Sequence, residues 1–251
     1  VLDDSKPKYV NSPETLVYHK SETVFALQIA KKSASRRFVL CEGYMDVISM
    51  QQAGIDTAVC ACGTALTPDQ VKLISQYADE VILSYDSDEA GQKATLRSLE
   101  MFRNSPVRVG VLQIPGAKDP DEYIKKYGAD RFKLLLEQST NHIEYALASL
   151  QAKYHLEVDD ERVAFLQAAA ALISGLHSAV EREVYGARAA EAAGISAQAM
   201  QLEVKKAFQK RVAKERAKQK QRDLAPAKAQ QPVERALHYE NMRSAMAEEG
   251  L

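Results

Sequence analysis

Glu42, Asp86 and Asp88 are the residues whose types and spacing could do chemistry. Each follows an apolar, strand-like run: Phe38-Val39-Leu40-Cys41 leads into Glu42-Gly43, and Val81-Ile82-Leu83-Ser84-Tyr85 leads into Asp86-Ser87-Asp88. In an open parallel α/β sheet, ligands bind in the crevice outside the carboxyl ends of the strands, so acids there are candidate site residues. If the two strands are neighbours, three negative charges converge, and like charges roughly 4 Å apart repel by about 4 kcal/mol at an effective dielectric near 20. A divalent cation removes that repulsion. Oxygen ligands without His or Cys favour Mg²⁺ or Mn²⁺, which complete their coordination with water and substrate phosphates, so the pattern points to phosphoryl chemistry. Asp46 lies four residues beyond Glu42 and shares a helix face with it if the helix has begun, adding another oxygen ligand or a water-positioner. Gly43 lets backbone approach closely behind Glu42. Taken singly, an acid at a strand end reads first as a helix N-cap, and Asp88 before Glu89-Ala90-Gly91 fits that reading. The set of three, each after an apolar strand, favours the metal.

Other chemistries find no support. No Gly-rich loop of the Walker type precedes a Lys-Ser/Thr, no dinucleotide fingerprint occurs, and no His lies close in sequence to the acids. No Ser-His-Asp order is evident, which argues against acyl transfer. The 251 residues carry 33 Lys and Arg against 34 Asp and Glu, so contact with a polyanion requires a local basic patch. Cys41, Cys60 and Cys62 lack the paired spacing of a zinc site and read as buried, reduced thiols of a cytoplasmic protein. No apolar run approaches the ~20 residues of a membrane span, and no signal peptide opens the chain. The start at Val1 and an apolar pattern resuming at Leu251 suggest a fragment.

The elements that must position the acids alternate in an α/β order. Strands are expected at Phe38–Cys41, Thr57–Cys60, Val81–Tyr85 and Val107–Ile114, with helices at Tyr44–Ala53, Thr67–Ala78 and Glu89–Arg103 between them. Thr67-Pro68-Asp69-Gln70 is a capping box with a structural role. A helical pattern is also expected over Glu22–Ala34, with Val24, Leu27 and Ile29 toward a core. Residues 6–15 read as an ordered loop with Lys, Tyr and Asn available to phosphate or sugar. Pro115 to Asp121 forms a loop carrying Asp119 and Asp121, followed by a helical stretch to about Gln138. The alternation stops at Asn141. Alanine-rich helices are expected at Asn141–Tyr154, Asp159–Leu176, Val180–Ala193 and from Ser196 to about Gln221, forming a small all-α bundle. The last becomes very basic, with Lys205, Lys206, Lys210, Arg211, Lys214, Arg216, Lys218, Lys220 and Arg222, and reads first as a solvated helix running into the linker 223–232.

With these residues placed, the chain resembles the catalytic core of bacterial DnaG-type primase. The resemblance rests on Lys8-Tyr9-Val10-Asn11-Ser12-Pro13-Glu14-Thr15, Glu42-Gly43-Tyr44-Met45-Asp46-Val47, Asp86-Ser87-Asp88-Glu89-Ala90-Gly91 and Lys118-Asp119-Pro120-Asp121-Glu122. The Glu and Asp-x-Asp pair alone would look like any Toprim domain, and the other stretches look like primase. The resemblance implies an α/β Toprim-like domain with a parallel sheet flanked by helices, followed by a small helical bundle. It implies Glu42, Asp86 and Asp88 as metal ligands, with Asp46, Asp119 and Asp121 in the outer acidic cluster, and Lys8, Tyr9, Asn11 and Gly43 facing nucleotide or template. The implied cofactor is Mg²⁺ or Mn²⁺, zinc belonging only to an N-terminal domain missing here. The implied partners are a single-stranded DNA template, ribonucleoside triphosphates and a replicative helicase, with no membrane. The implied divisions are a remnant of the N-terminal subdomain at 1–36, Toprim at 37–138, a bundle at 139–222, a linker at 223–232 and the start of a helicase-binding region at 233–251. Competing expectations are a Toprim nuclease using the same acids, and a non-catalytic interaction module.

Overall fold

The structure, a computed structural model, describes residues 12–61, 65–176 and 178–224, apart from the side chains of residues 219 and 221–224. In chain order, β1 (Val24–Phe25) and α1 (Leu27–Ala30) precede β2 (Arg37–Cys41), α2 (Tyr44–Gln52), β3 (Ala58–Ala61), α3 (Pro68–Ser75), β4 (Glu80–Ser84) and α4 (Glu89–Phe102). Then come β5 (Arg108–Val111), α5 (Pro120–Tyr127), α6 (Ala129–Glu137) and β6 (Thr140–Asn141). The remainder is helical: α7 (His142–Gln151), α8 (Asp159–Ile173), α9 (Ala179–Ala192) and α10 (Ala197–Leu224).

The strands form one sheet in the order β1-β3-β2-β4-β5-β6. Its four central strands are parallel, as the βαβ alternation requires. Successive side chains point to opposite faces, so a fully apolar strand feeds two cores. Phe38, Leu40, Val81 and Leu83 pack on one face with Ile74 of α3 and Phe102 of α4. Val39, Cys41 and Ile82 pack on the other with Val47 and Met50 of α2, Tyr123 of α5 and Phe132 of α6. Cys41 and Cys60 are buried, as expected, and Cys62 lies outside the described residues. The bundle has its own core, in which Ala169, Ala170, Ala189 and Ala190 let helices approach closely around Phe165, Ile173, Met200 and Val204.

Three details depart from the sequence expectations. The helix expected over Glu22–Ala34 is a two-residue strand and one helical turn: Val24 and Phe25 pair antiparallel with Ala61 and Cys60, and Ala26 turns left-handed at φ 64°. Val24 is buried as expected, but Ile29 is exposed, because a single turn cannot carry a helical stripe. The stretch to Gln138 is two helices, separated at Gly128 with φ 89°. The two-residue strand β6 caps the other sheet edge, antiparallel to β5.

The capping box at Thr67 does more than start α3. Gln70 is fully buried and satisfied: its side-chain oxygen accepts from Thr67 N–H at 3.0 Å, and its amide donates to the carbonyls of Lys20 and Thr23 at 2.8 Å each. The segment before β1 is thereby tied to the start of α3, since an unpaired buried amide would be costly.

Candidate metal centre

Parallel pairing of β2 with β4 sets Cys41 opposite Ser84, so the chain leaves both strands at the same level and delivers Glu42 and Asp86 to one crevice. Past β2 the chain turns at once into α2. Its N-cap, Gly43, has no side chain to accept a hydrogen bond, and Asp46 supplies the carboxylate instead, accepting from the Gly43 amide at 3.2 Å. The backbone amide of Asp121 also stabilises this carboxylate. Asp46 is only 8 % exposed. Burial, together with the charges of Asp119 and Asp86, raises its pKa to about 7.

Past β4, Asp86 is partly buried and its pKa is also raised, first by desolvation and then by Glu42, with Asp119 and Asp88 adding to the effect. Lys118 opposes them, its Nζ 3.8 Å from Asp86 Oδ2. Ser87 holds the two loops together, its amide and hydroxyl both donating to the Lys118 carbonyl at 3.1 Å. Asp88 is the N-cap of α4, accepting from Gly91 N–H at 2.8 Å, so the capping role considered for it is the one the structure displays. Gly91 is required by packing: a Cβ there would lie 2.1 Å from the Asp86 carbonyl oxygen. Asp119 caps α5 in the same way, accepting from Glu122 N–H at 2.8 Å.

The structure thus brings Glu42, Asp46, Asp86, Asp88 and Asp119 into one electrostatic neighbourhood. Asp121 joins it through its backbone only, since its carboxylate faces Lys125 at 2.6 Å. Lys8, Tyr9 and Asn11 lie outside the described residues. Among the described residues, no three His, Cys, Asp or Glu side chains come together as a ready set of metal ligands. The donor chemistry nevertheless fits a hard cation: the groups are carboxylates, the charges of their neighbours help raise the pKa of Asp46 and of Asp86, and Glu42 is exposed and has no capping role. Asp88 and Asp119 each hold a helix start with one oxygen. Such a set suits a cation that keeps several waters and takes one or two carboxylates plus phosphate oxygens, rather than an all-protein cage.

Sequence reasoning missed Lys118 and Gly91 as site residues, although both stand in the quoted motifs. The signal for Lys118 was a lone cation beside Asp119 and Asp121. A cleft of about 290 Å³ lies elsewhere, between sheet and bundle, lined by residues including Phe102, Val109, His142 and Leu176, and it contains none of these carboxylates. Among the described residues, no helix is long and apolar enough to cross a membrane.

Comparison with known proteins gives a consistent picture. Residues 39–124 match the Toprim-like family model, and residues 143–198 match the model described as the DnaB-helicase binding domain of primase. A DNA primase of Clostridium acetobutylicum is 39 % identical over 201 residues, covering 80 % of this chain and 34 % of that protein. One from Neisseria meningitidis is 33 % identical over 251 residues, covering 97 % and 42 %. The chain therefore spans less than half the length of these relatives. Among solved structures, a DnaG primase catalytic domain bound to ssDNA superposes with a TM-score of 0.68 at 32 % identity, covering 78 % of this chain and 63 % of that one. A DNA primase domain from Pseudomonas aeruginosa gives a TM-score of 0.68 at 31 % identity, covering 81 % and 65 %.

Proposed function

We propose, on the premise that this chain belongs to the bacterial DnaG-type primase family, that its acidic crevice serves template-directed synthesis of RNA primers on single-stranded DNA. The observation that carries the reading is the parallel register of β2 and β4, beyond which Asp86 lies within electrostatic reach of Glu42 and Asp88. These three side chains would hold Mg²⁺ or Mn²⁺. When bound, the ion would supply charge neutralisation for the triphosphate and the transferring phosphorus.

The rest falls to the chain's own groups. Asp46, held by the amides of Gly43 and Asp121, fixes the loop after β2 against α5, and so sets where Glu42 stands. The absence of a side chain at Gly43 leaves room for the Asp46 carboxylate, since a Cβ there would stand 3.2 Å from Asp46 Oδ2. The two N-caps, Asp88 and Asp119, anchor helix starts whose free amides suit phosphate oxygens. Lys118, more than half exposed, can turn from Asp86 to a phosphate without leaving the crevice. Lys8, Tyr9 and Asn11 complete the proposal as contacts to nucleotide or template.

The divisions at 1–36, 37–138, 139–222, 223–232 and 233–251 belong to the same proposal. The match over residues 143–198 supports a helicase contact within α7–α9 and the very start of α10, upstream of the 233–251 segment, which lies outside the described residues.

The test is Asp86→Asn and Asp88→Asn in a chain with the family's N-terminal regions restored. Primer synthesis falls by at least a hundredfold, while circular dichroism and thermal unfolding stay close to those of the parent. Near-normal synthesis by either variant sinks the proposal.

A further inference from the structure

The exposed half of α10 has no task in the reading above. The helix has 28 residues, so it is about 42 Å long. Its first half docks on the bundle: Met200 and Val204 are buried in the core and Ala207 packs against it. Continued at the same helical spacing, that stripe becomes Arg211, Lys214 and Lys218. Phe208 still meets the bundle, with the Arg182 guanidinium of α9 4.7 Å from its ring centre, but Arg211 finds its partners on α10 itself, its guanidinium 6.0 Å from the Phe208 ring centre and its Nε 3.4 Å from Glu215. Lys214 and Lys218 are exposed. The second half therefore cannot bury a face against this bundle.

Its charges are also arranged against themselves. Lys206, Lys210, Lys214 and Lys218 form a ladder of like charges four residues apart, and such neighbours repel on a helix. Between residues 210 and 220 there are six basic residues and one acid, Glu215. Among the described residues, Lys210, Lys214, Arg216, Lys218 and Lys220 form no ion pair. At 100° per residue, positions 210, 211, 214, 216, 218 and 220 spread over an arc of about 220° of the helix surface, wider than a single stripe.

We infer that the projecting half of α10 is a binding arm for single-stranded nucleic acid, separate from the acidic crevice. A flexible, evenly charged strand can follow cations around a helix, relieving their repulsion and releasing its own counterions. A membrane surface fits less well, because Val212 is the one large apolar residue between 210 and 220 and no apolar face exists to insert. An acidic protein surface lacks the same apolar anchor.

The test is fluorescence anisotropy of a labelled 20-nucleotide oligo(dT) with the whole chain in EDTA, across a series of NaCl concentrations. Working without divalent ions separates this inference from the metal centre and from the primase assignment. Against the parent, K206Q/K210Q/K214Q/K218Q weakens binding at least tenfold, and the slope of log K against log[NaCl] becomes shallower by about 3, at ~0.7 per lost phosphate contact. The matching Lys→Arg variant keeps both affinity and slope. Unchanged affinity and slope in the glutamine variant overturn the inference. So does displacement of the oligonucleotide by poly-glutamate at equal charge concentration, which would assign the arm to an acidic protein. Should the fourfold variant lose helicity, K214Q/K218Q, confined to the projecting half, is measured instead and must show a reduced slope.

Discussion

The two ends of β2 and β4 are built from the same strands and treat charge in opposite ways. At the entering end, Arg37 and Glu80 are register partners, with Nε 3.4 Å from Oε2, close enough for an ion pair but without an aligned hydrogen bond. Arg37 also reaches Glu137 at 2.8 Å and the Leu136 carbonyl at 3.0 Å, while Arg108 approaches Glu80 at 4.0 Å. Signs alternate, and the half-buried cluster neutralises itself. At the leaving end, among the described residues, Lys118 pairs with Asp86 within the group of Glu42, Asp46, Asp86, Asp88 and Asp119, and the pKa values of Asp46 and Asp86 are raised. Charge that serves the fold is compensated within the fold. Charge left uncompensated awaits something from outside.

This contrast predicts substitutions of opposite sign, and Arg37→Ala has the largest expected effect. It removes a three-way contact between β2, β4 and α6 and leaves Glu80 partly buried without its closest partner. Urea unfolding shows a loss of about 3 kcal/mol. A loss below 0.5 kcal/mol would erase the distinction between the two ends.

Asp46→Asn acts the other way. The native protein holds the Asp46 proton up to about pH 7, whereas the unfolded chain releases it near 3.8, so between these values the native state binds more protons. Wild-type stability therefore receives a falling contribution from Asp46 as pH rises from about 4 to about 7. Asparagine can still accept from the Gly43 amide and removes that contribution. The variant is more stable than wild type by about 2 kcal/mol at pH 8 and no more stable at pH 4. Equal stability at pH 8 would mean that the carboxylate is not crowded.

Lys118→Ala gives the smallest change, a loss of about 0.5 kcal/mol, because Lys118 is mostly exposed and its pairing with Asp86 is screened. The loss is larger at low salt and is reversed by millimolar Mg²⁺. Indifference to both would remove Lys118 from the crevice.

The parallel sheet was readable because each central strand is an uninterrupted apolar run followed by a helical pattern. The edges were not. β1 and β6 are two residues each, too short for any periodicity, and exist because a neighbouring strand offers its free edge. The break at Gly128 was visible in the sequence as a glycine within a helical pattern, yet residue type alone does not separate a break, here with φ 89° between α5 and α6, from a glycine tolerated inside one helix. At the site, the side chains of Glu42, Asp86, Asp88 and Asp119 stood out through their types and positions. The hold on Asp46 by the backbone of Asp121 had no such signature, because an amide donor carries no side-chain mark. The ion pair of Asp121 with Lys125 did have a signature, an acid four residues before a lysine on one helix, and it competes with a place for Asp121 in the crevice.

Calorimetric titration of the chain with Mn²⁺, alongside Asp86→Asn, tests most directly whether the leaving end of the sheet is a cation site. Saturable binding by the parent, weakened at least tenfold in Asp86→Asn, is the predicted result. Heats no larger than dilution up to several millimolar Mn²⁺, or equal affinity in the two proteins, would contradict it.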